Sequence, residues 1–362
     1  MQNNTLKLLA LSRLAGQSRL RAQQVLRRSR LQNGSFEEDL ELFSGSFGDL
    51  SKERQILENC SKFDIAVIPI FSVRYPTQLL RLDVPPLILY VRGRRGREEF
   101  PSRSVAIVGS RRGDARGVAH TRELSRHLRG HGFTLVSGLA YGIDSACHWA
   151  ALESPDTLGI PTIAVMPCGL DNIYPRAHEK LARAIFESDS LIVSEYPPGE
   201  APLPYRFLER NRIVAGLSRA VVVVQAAAKS GALSTARHAA EAGIDVFTPP
   251  GMLEDPLYGG NHQLLQCGAF LLSSFEEFYE HLGISARETG RSSHRILAQQ
   301  ILRFLLEQGP KHYRELRTKF GNYRLAETLL ELESVGRLEC SDGIVYRALG
   351  EKRHASEGYN VD

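Results

Sequence analysis

The stretch SVAIVGSRRG (104–113), followed after one helix-length segment by FTLVSGLAYGIDSACHWAA (133–151), decides the fold. Each half begins with a run of apolar, largely β-branched residues and ends in a glycine–serine turn. A helical pattern follows each turn. Strand, turn, helix, repeated, predicts right-handed βαβ units on a parallel sheet. In such a sheet the turns line up at the carboxyl edge of the strands, where backbone N–H groups and helix N-termini face a ligand. Arg111 and Arg112 in the first turn point to a phosphate.

Outward from this stretch the alternation continues. Strands are expected at 161–166, 190–196 and 219–226, with a further strand and turn in DVFTPPG (245–251), and helices at 118–129, 143–152, 177–187, 206–218 and, opened by a Ser-Gly turn, in SGALSTARHAAEAG (230–243). RAVVVVQA (219–226) is the most apolar strand and is predicted to be central and buried on both faces. Upstream, IAVIPI (65–70) and PPLILYV (85–91) read as strands, with a proline-started helical turn between them. Residues 5–31 place apolar and basic side chains at helical spacing, interrupted at Gly16, which predicts two short helices. His294–Gly309, 311–320 and 323–336 read as three further helices. RLECSDGIVYRAL then carries an Asp-Gly hairpin signal. The expected class is α/β, an extended Rossmann-like, mostly parallel sheet with a small N-terminal helical module and a C-terminal winged helix. The expected division is 1–62 (a SAM-like or helix-hairpin module), 63–283 with a lead-in over 63–103, a linker at 284–293, the winged helix at 294–350 and a flexible tail at 351–362.

The chain has 362 residues and a net charge of +4. Basic residues are unevenly placed. Lys7, Arg13, Arg19, Arg21, Arg27, Arg28 and Arg30 meet no acid in the first 30 residues, and Arg92, Arg94, Arg95, Arg97 and Arg103 precede the central stretch. Five scattered cysteines form no C-x-x-C pair, so neither a metal site nor a disulfide framework is expected, and a cytoplasmic, reduced protein is. No apolar run reaches the ~20 residues of a membrane helix, and the N-terminus lacks a signal-peptide layout.

The candidate binding residues lie on the turns. Gly109, Ser110, Arg111 and Arg112 form the first, which lacks both the G-x-G-x-x-G and the G-K-[ST] spacing. Ser137, Gly138 and Tyr141 belong to the second. Arg176 ends the loop CGLDNIYPRAH, Arg210, Asn211 and Arg212 fall in RFLERNR, and Lys229, Ser230 and Gly231 open an alanine-rich helix. Guanidinium groups clamp phosphates with paired hydrogen bonds. For the RFLERNR arginines the competing reading is ion pairing with Glu209, Glu195 or Asp171. Catalytic patterns are poor. Cys147 and His148 are adjacent, so on a helix they diverge, and no G-x-S-x-G elbow occurs. His148 is expected on a polar face near Asp144. Neither a catalytic residue nor a cofactor is assigned.

Taken in order, VAIVGSR, SGLAYGID with ACHWAAL, TIAVMPCGLDNIYP, LIVSEYPPG, RNRIVAGLS, AKSGALSTA, PPG and GGNHQLLQCGA resemble the DNA-processing protein A family (DprA, also called Smf) over 104–282, with YPTQLLRLDVPPLILYVRG as its lead-in. The resemblance implies a non-enzymatic protein that binds single-stranded DNA, dimerises through its Rossmann-like domain and loads the RecA recombinase during natural transformation. It assigns the DNA-binding roles to Arg111, Arg176, Arg210, Arg212 and the Lys229–Gly231 turn. Two positions depart from the family pattern: Tyr141 where an arginine is frequent, and Gln225 where a glutamate is. A rival expectation is a nucleotide-processing phosphoribohydrolase of the LOG type, whose P-G-G-x-G-T-x-x-E signature is missing here.

Overall fold

The computed structural model describes residues 2–348 except 15, 32–35, 44, 46–47, 94–99, 155–158, 284–296, 299, 321–324 and 342–344. The expected linker (284–293), the tail (351–362) and the Asp-Gly turn lie outside the described residues. The chain divides into two compact units, Met1–Leu282 and Gly283–Asp362.

The first unit is built on a nine-stranded sheet. In chain order its strands are β1 (Ala66–Pro69), β2 (Ile88–Arg92), β3 (Ser104–Val108), β4 (Thr134–Ser137), β5 (Thr162–Met166), β6 (Leu191–Ser194), β7 (Ala220–Val223), β8 (Asp245–Thr248) and β9 (Phe270–Leu271). Their spatial order is β1-β2-β6-β5-β4-β3-β7-β8-β9. Pairings from β6 through β9 are parallel, and only β1–β2 and β2–β6 are antiparallel. The chain starts its parallel sheet at β3 and winds through β4, β5 and β6 on one side. It then returns to β7 on the other side of β3. β3 and β7 therefore flank the topological switch point, where the loops leaving two adjacent strands part and open a crevice.

Strands β3, β4, β5, β6 and β7 are buried along their whole length, which explains their continuous apolar runs. β7 is buried as expected but lies seventh in the row, not at its centre. Hydrophobicity reports coverage of both faces and not position, so every interior strand of a doubly covered sheet reads alike.

In chain order the helices of this unit are α1 (Gln2–Ser12), α2 (Gly16–Leu31), α3 (Phe36–Glu41), α4 (Ser51–Lys62), α5 (Ala115–Gly130), α6 (Ile143–Leu152), α7 (Glu179–Glu187), α8 (Pro204–Gly216), α9 (Ala232–Glu241), α10 (Gly259–Gln266) and α11 (Phe275–His281). The helix α5 (Ala115–Gly130) starts three residues before the apolar periodicity does. The Asp114 carboxylate accepts from the Gly117 N–H at 2.8 Å and caps it. This leaves Thr121, Leu124 and Leu128 facing the sheet. Helix α6 (Ile143–Leu152) is short and alanine-rich, and α5 packs closely beside it. On it His148 is fully buried rather than on a polar face. The proline-started turn at Thr77–Arg81 is a 3₁₀ segment. At the N-terminus, Gln2–Ser12 and Gly16–Leu31 are helical, and Leu8, Leu9, Leu11 and Leu26 join the core shared with the sheet.

The second unit has helices at 300–308, Tyr313–Phe320 and Leu325–Ser334. A three-stranded antiparallel sheet completes it, with the strands Leu338–Ser341 and Val345–Ala348 paired and Lys311–His312 added beside the latter. Ile301, Leu305, Leu316, Leu325, Leu329 and Leu338 make its core.

Candidate nucleic-acid interface

The turn after β3 is fixed by backbone bonds. The Ser110 N–H donates to the Gln225 carbonyl at 2.7 Å, which ties the turn after β3 to the end of β7. The Ser110 carbonyl in turn accepts from the Gly113 N–H (3.3 Å) and from the Ile143 N–H (3.2 Å) at the start of α6. Gly142 must be glycine for two reasons. Its φ is +74°, and a Cβ there would stand 2.3 Å from the Ser110 carbonyl oxygen. The two glycine turns are thus pressed together as one unit.

Gln225 braces the same region. Its Oε1 accepts from the Asp114 N–H and its Nε2 donates to Asp114 Oδ1, both at 3.1 Å. A neutral amide can do both; the carboxylate frequent in the family pattern supplies no donor for Asp114. The side chain is fully buried, so the position is a bracing one and adds no charge to the surface.

A cavity of about 880 Å³ opens over the β3–β7 switch point. Its lining includes Gly109, Ser110, Arg111, Arg112, Gly138, Arg210, Asn211, Lys229, Ser230 and Gly231, so four separate stretches of the sequence converge there. Arg111, Arg112 and Lys229 are exposed, and among the described residues none of the three is ion-paired. Helix α8 (Pro204–Gly216) supplies one wall, with Phe207 and Leu208. The Arg111 guanidinium lies 5.2 Å from the centre of the Phe207 ring. Tyr174, from the loop after β5, meets the same ring edge-on at 5.5 Å. Cation, ring and ring therefore form a continuous rim, of the kind that holds a phosphate beside a stacked base.

Lining the cavity and presenting a charge to it are different things, and other sequence candidates lie outside it. Arg210 is nearly fully buried, at 4% exposure, and does not present its charge at the rim. Its Nη1 donates to the carbonyls of Gly138 (2.6 Å) and Val165. Gly138 leaves the space this requires, since a Cβ would stand 2.6 Å from the guanidinium. Burial draws Arg210 down to about 10, opposed by the Asp144 carboxylate, while burial pushes Asp144 up against the pull of Arg210. Asp144 Oδ2 accepts from the N–H groups of Gly138 (3.1 Å) and Ala140 (3.4 Å). Together they are the internal frame of the turn after β4. Arg212, two residues on, points the other way and pairs with Glu195 at 2.6 Å, outside the cavity. Arg206 pairs with Glu200 at 2.7 Å over the Tyr196 ring. On a helix, residues two apart diverge, and of the ion-pairing alternatives it is Glu195, with Arg212, that the structure forms.

Ser137 is buried and donates to the Ile107 carbonyl at 2.6 Å, bridging β4 to β3 rather than facing the cavity. Tyr141 and Arg176 are exposed but do not line the cavity. Tyr141 instead meets the His178 ring edge-on at 4.8 Å, on the 3₁₀ turn that Arg176 starts. Phe207 and Leu208 were not singled out from the sequence. Their signal was there: two large apolar residues in RFLERNR, on a helix whose buried side is already supplied by Ile213, Val214 and Ala215.

The adjacent Cys147 and His148 singled out from the sequence are both buried in the core. His148 Nδ1 lies 2.7 Å from Thr162 Oγ1, inside the core, and burial draws the imidazole down to about 3. Burial pushes the Cys168 thiol up to about 12 and Cys147 higher still, which suppresses the thiolate. Among the described residues no group of three His, Cys, Asp or Glu side chains is placed to hold a metal ion, and no helix is long and apolar enough to cross a membrane.

The family model for DNA recombination-mediator protein A matches residues 66–283. DNA processing protein DprA of Streptococcus pneumoniae is 39% identical over 252 residues, covering 66% of this chain and 86% of that protein. Protein Smf of Escherichia coli is 42% identical over 216 residues, covering 60% of this chain and 56% of the relative. Among solved structures, that of the S. pneumoniae DprA superposes with a TM-score of 0.58 at 35% identity, over 74% of this chain and 93% of that one. A Helicobacter pylori DNA processing protein A, solved for its single-stranded DNA binding mode, gives 0.53 at 33% identity, over 61% and 97%. With the matched span running from β1 to the end of the sheet unit, this chain belongs to the DNA recombination-mediator protein A family.

Proposed function

We propose that this protein is a cytoplasmic, non-enzymatic recombination mediator. It binds single-stranded DNA at the carboxyl edge of the sheet and hands the strand to the RecA recombinase during DNA uptake. The observation that carries this reading is the rim of Arg111, Arg112 and Lys229 around the switch-point cavity, with Phe207 and Tyr174 beside the first cation. Exposed cations neutralise phosphates without reading sequence, and the rings accept any base. Exposed Arg176 extends the basic character beyond the cavity. The reading also takes the protein as a homodimer. β9 is a two-residue edge strand whose Phe270 and Leu271 are about half exposed, and such an edge is a pairing surface for a second copy. The second unit serves as a winged helix for docking.

The test is a mobility shift with single- and double-stranded oligonucleotides across a salt series, with and without RecA. Preference for the single strand, a salt-dependent affinity and weaker binding by Arg111→Ala are expected. Equal affinity for both forms, or an unchanged Arg111→Ala variant, contradicts the reading. Release of free base from nucleoside monophosphates would instead favour the phosphoribohydrolase.

A further inference from the structure

A second set of arginines gathers at the opposite, amino-terminal edge of the sheet, away from the cavity. Arg103 immediately precedes β3 and Arg219 immediately precedes β7. The Arg219 N–H donates to the Ser104 carbonyl at 2.8 Å, and the Arg103 carbonyl accepts from the Thr134 N–H at 2.9 Å. The β3–β7 register (Val105 opposite Ala220) sets Arg219 level with Ser104, so Arg103 lies one residue earlier and leans to the other face of the sheet, where its guanidinium stands 5.0 Å from the centre of the Phe133 ring; the two arginines share the edge, one on each face. The 3₁₀ turn Thr77–Arg81 closes over them. Gln78 Nε2 donates to the Pro101 carbonyl at 3.0 Å, and Arg81 Nη2 donates to the Ser218 carbonyl at 3.3 Å, next to Arg219. Arg27, from the second N-terminal helix, joins from the far side through its Nε bond to the Leu80 carbonyl at 2.8 Å.

The charges of this row are not relieved within the protein. Among the described residues none of Arg27, Arg81, Arg103 and Arg219 is ion-paired. Asp245, which the β7–β8 register sets beside Ala220, takes His281 at 2.7 Å. Burial and then the positive charge of Arg219 draw the Arg81 guanidinium below its ordinary range. Arg81 and Arg219 are thus like charges held together on rigid backbone. The apolar residues interleaved with them, Leu79, Leu80, Leu82 and Leu217, are all buried. The surface therefore presents guanidinium donors and no exposed apolar anchor, which suits a phosphodiester backbone and not an amphipathic peptide.

We infer that Arg27, Arg81 and Arg219, with Arg103 at the same edge on the sheet's other face, form a second phosphate-binding surface, which takes a separate segment of single-stranded nucleic acid at the amino-terminal edge of the sheet. The choice of nucleic acid over other polyanions rests on the function proposed above. A strand held at the carboxyl edge has to pass the flank of the sheet to reach this row, so a short oligonucleotide fills only the first site.

The test compares Arg81→Gln/Arg103→Gln/Arg219→Gln with the same three positions changed to lysine. A second variant, Arg103→Gln/Arg219→Gln, leaves the Arg81 bond to Ser218 intact in case the triple variant folds poorly. Fluorescence anisotropy is read with single-stranded oligonucleotides of about six and about thirty nucleotides, lengths that bracket the usual footprint of a single binding fold. The glutamine variants are expected to bind the short strand as the parent does. For the long strand they should lose about tenfold or more, with a salt slope shallower by roughly 0.7 for each contact removed; the lysine variant should keep the slope. Unchanged long-strand affinity and slope overturn the inference. So does a loss seen with polyglutamate or anionic vesicles but not with the long strand. An unaltered Arg111→Ala variant is a different result, since it contradicts the first site and leaves the second to be judged on the glutamine series.

Discussion

At the scale of single residues, the division is between arginines that face out and those that hold the frame. Arg111 and Phe207 touch, yet they are expected to fail differently. Arg111→Ala removes a phosphate contact and should flatten the salt dependence by about 0.7. Phe207→Ala removes a stacking face and should cost about 1–3 kcal/mol of single-strand affinity with the slope preserved; matched salt titrations of the two variants check this. Gly142→Ala forces a Cβ against the Ser110 carbonyl at a positive φ and should lower stability by about 1–3 kcal/mol, read in urea, with strand binding weakened as the first turn shifts. His148 gives the protein an acid limit. Thr162 Oγ1 donates to the Leu135 carbonyl, so it accepts from the imidazole Nδ1–H, and Nε2 is buried with no partner for a second proton. The folded imidazole titrates near 3 against an ordinary 6.5. The unfolded chain therefore binds the proton first as pH falls. This stability is fully present above pH 6.5 and is lost progressively down to about 3, at a slope approaching ~1.4 kcal/mol per pH unit. Urea midpoints of the parent and His148→Gln between pH 7 and 4 should converge as the parent loses this contribution. From sequence, the arginines were legible as a set but not individually. Residue type shows that a guanidinium is present, while burial and the nearest carboxylate decide whether it is free.

At the scale of elements, the Asp114–Gln225 pair shows how one side chain serves a cap and a turn at once. Asp114 accepts from the Gly117 N–H and from Gln225 Nε2, and Gln225 accepts from the Asp114 N–H. Asp114→Ala removes the cap of α5 and should destabilise by about 0.5–2 kcal/mol. Gln225→Glu keeps the shape but sets a buried carboxylate against that of Asp114, with the donor lost. A cost on the order of 1–3 kcal/mol is expected, larger at pH 8 than at pH 5, where protonation restores a donor. Urea unfolding at the two pH values measures both variants. The helices and strands themselves were readable because apolar periodicity and glycine turns are local. The start of α5 at Ala115 was not, since a cap acts before the periodicity begins. The 3₁₀ form of Thr77–Arg81 likewise needed the packing of Leu79 and Leu80 to declare itself.

For the whole molecule, residues 1–282 form one compact unit in which the N-terminal leucines share a core with the sheet. A chain ending at Leu282 is expected to keep its circular dichroism and its melting transition, and to bind the short single strand with the affinity of the full protein. Loss of cooperative melting in that chain would show that the second unit is needed for the first to fold. The sequence by itself determined the α/β class, the run of parallel strands and the family, because each strand, turn and helix is specified by neighbours within about fifteen residues. It also identified the turns that converge on the cavity, since a parallel sheet puts every such turn at one edge. Only the tertiary structure decided which cations face the ligand. Arg111, Arg112 and Lys229 stay free at the rim, whereas Arg210 is drawn into the core and Arg212 to Glu195. The reason is physical. A charge is assigned its role by the dielectric and the partners around it, and both are set by segments far away in the chain.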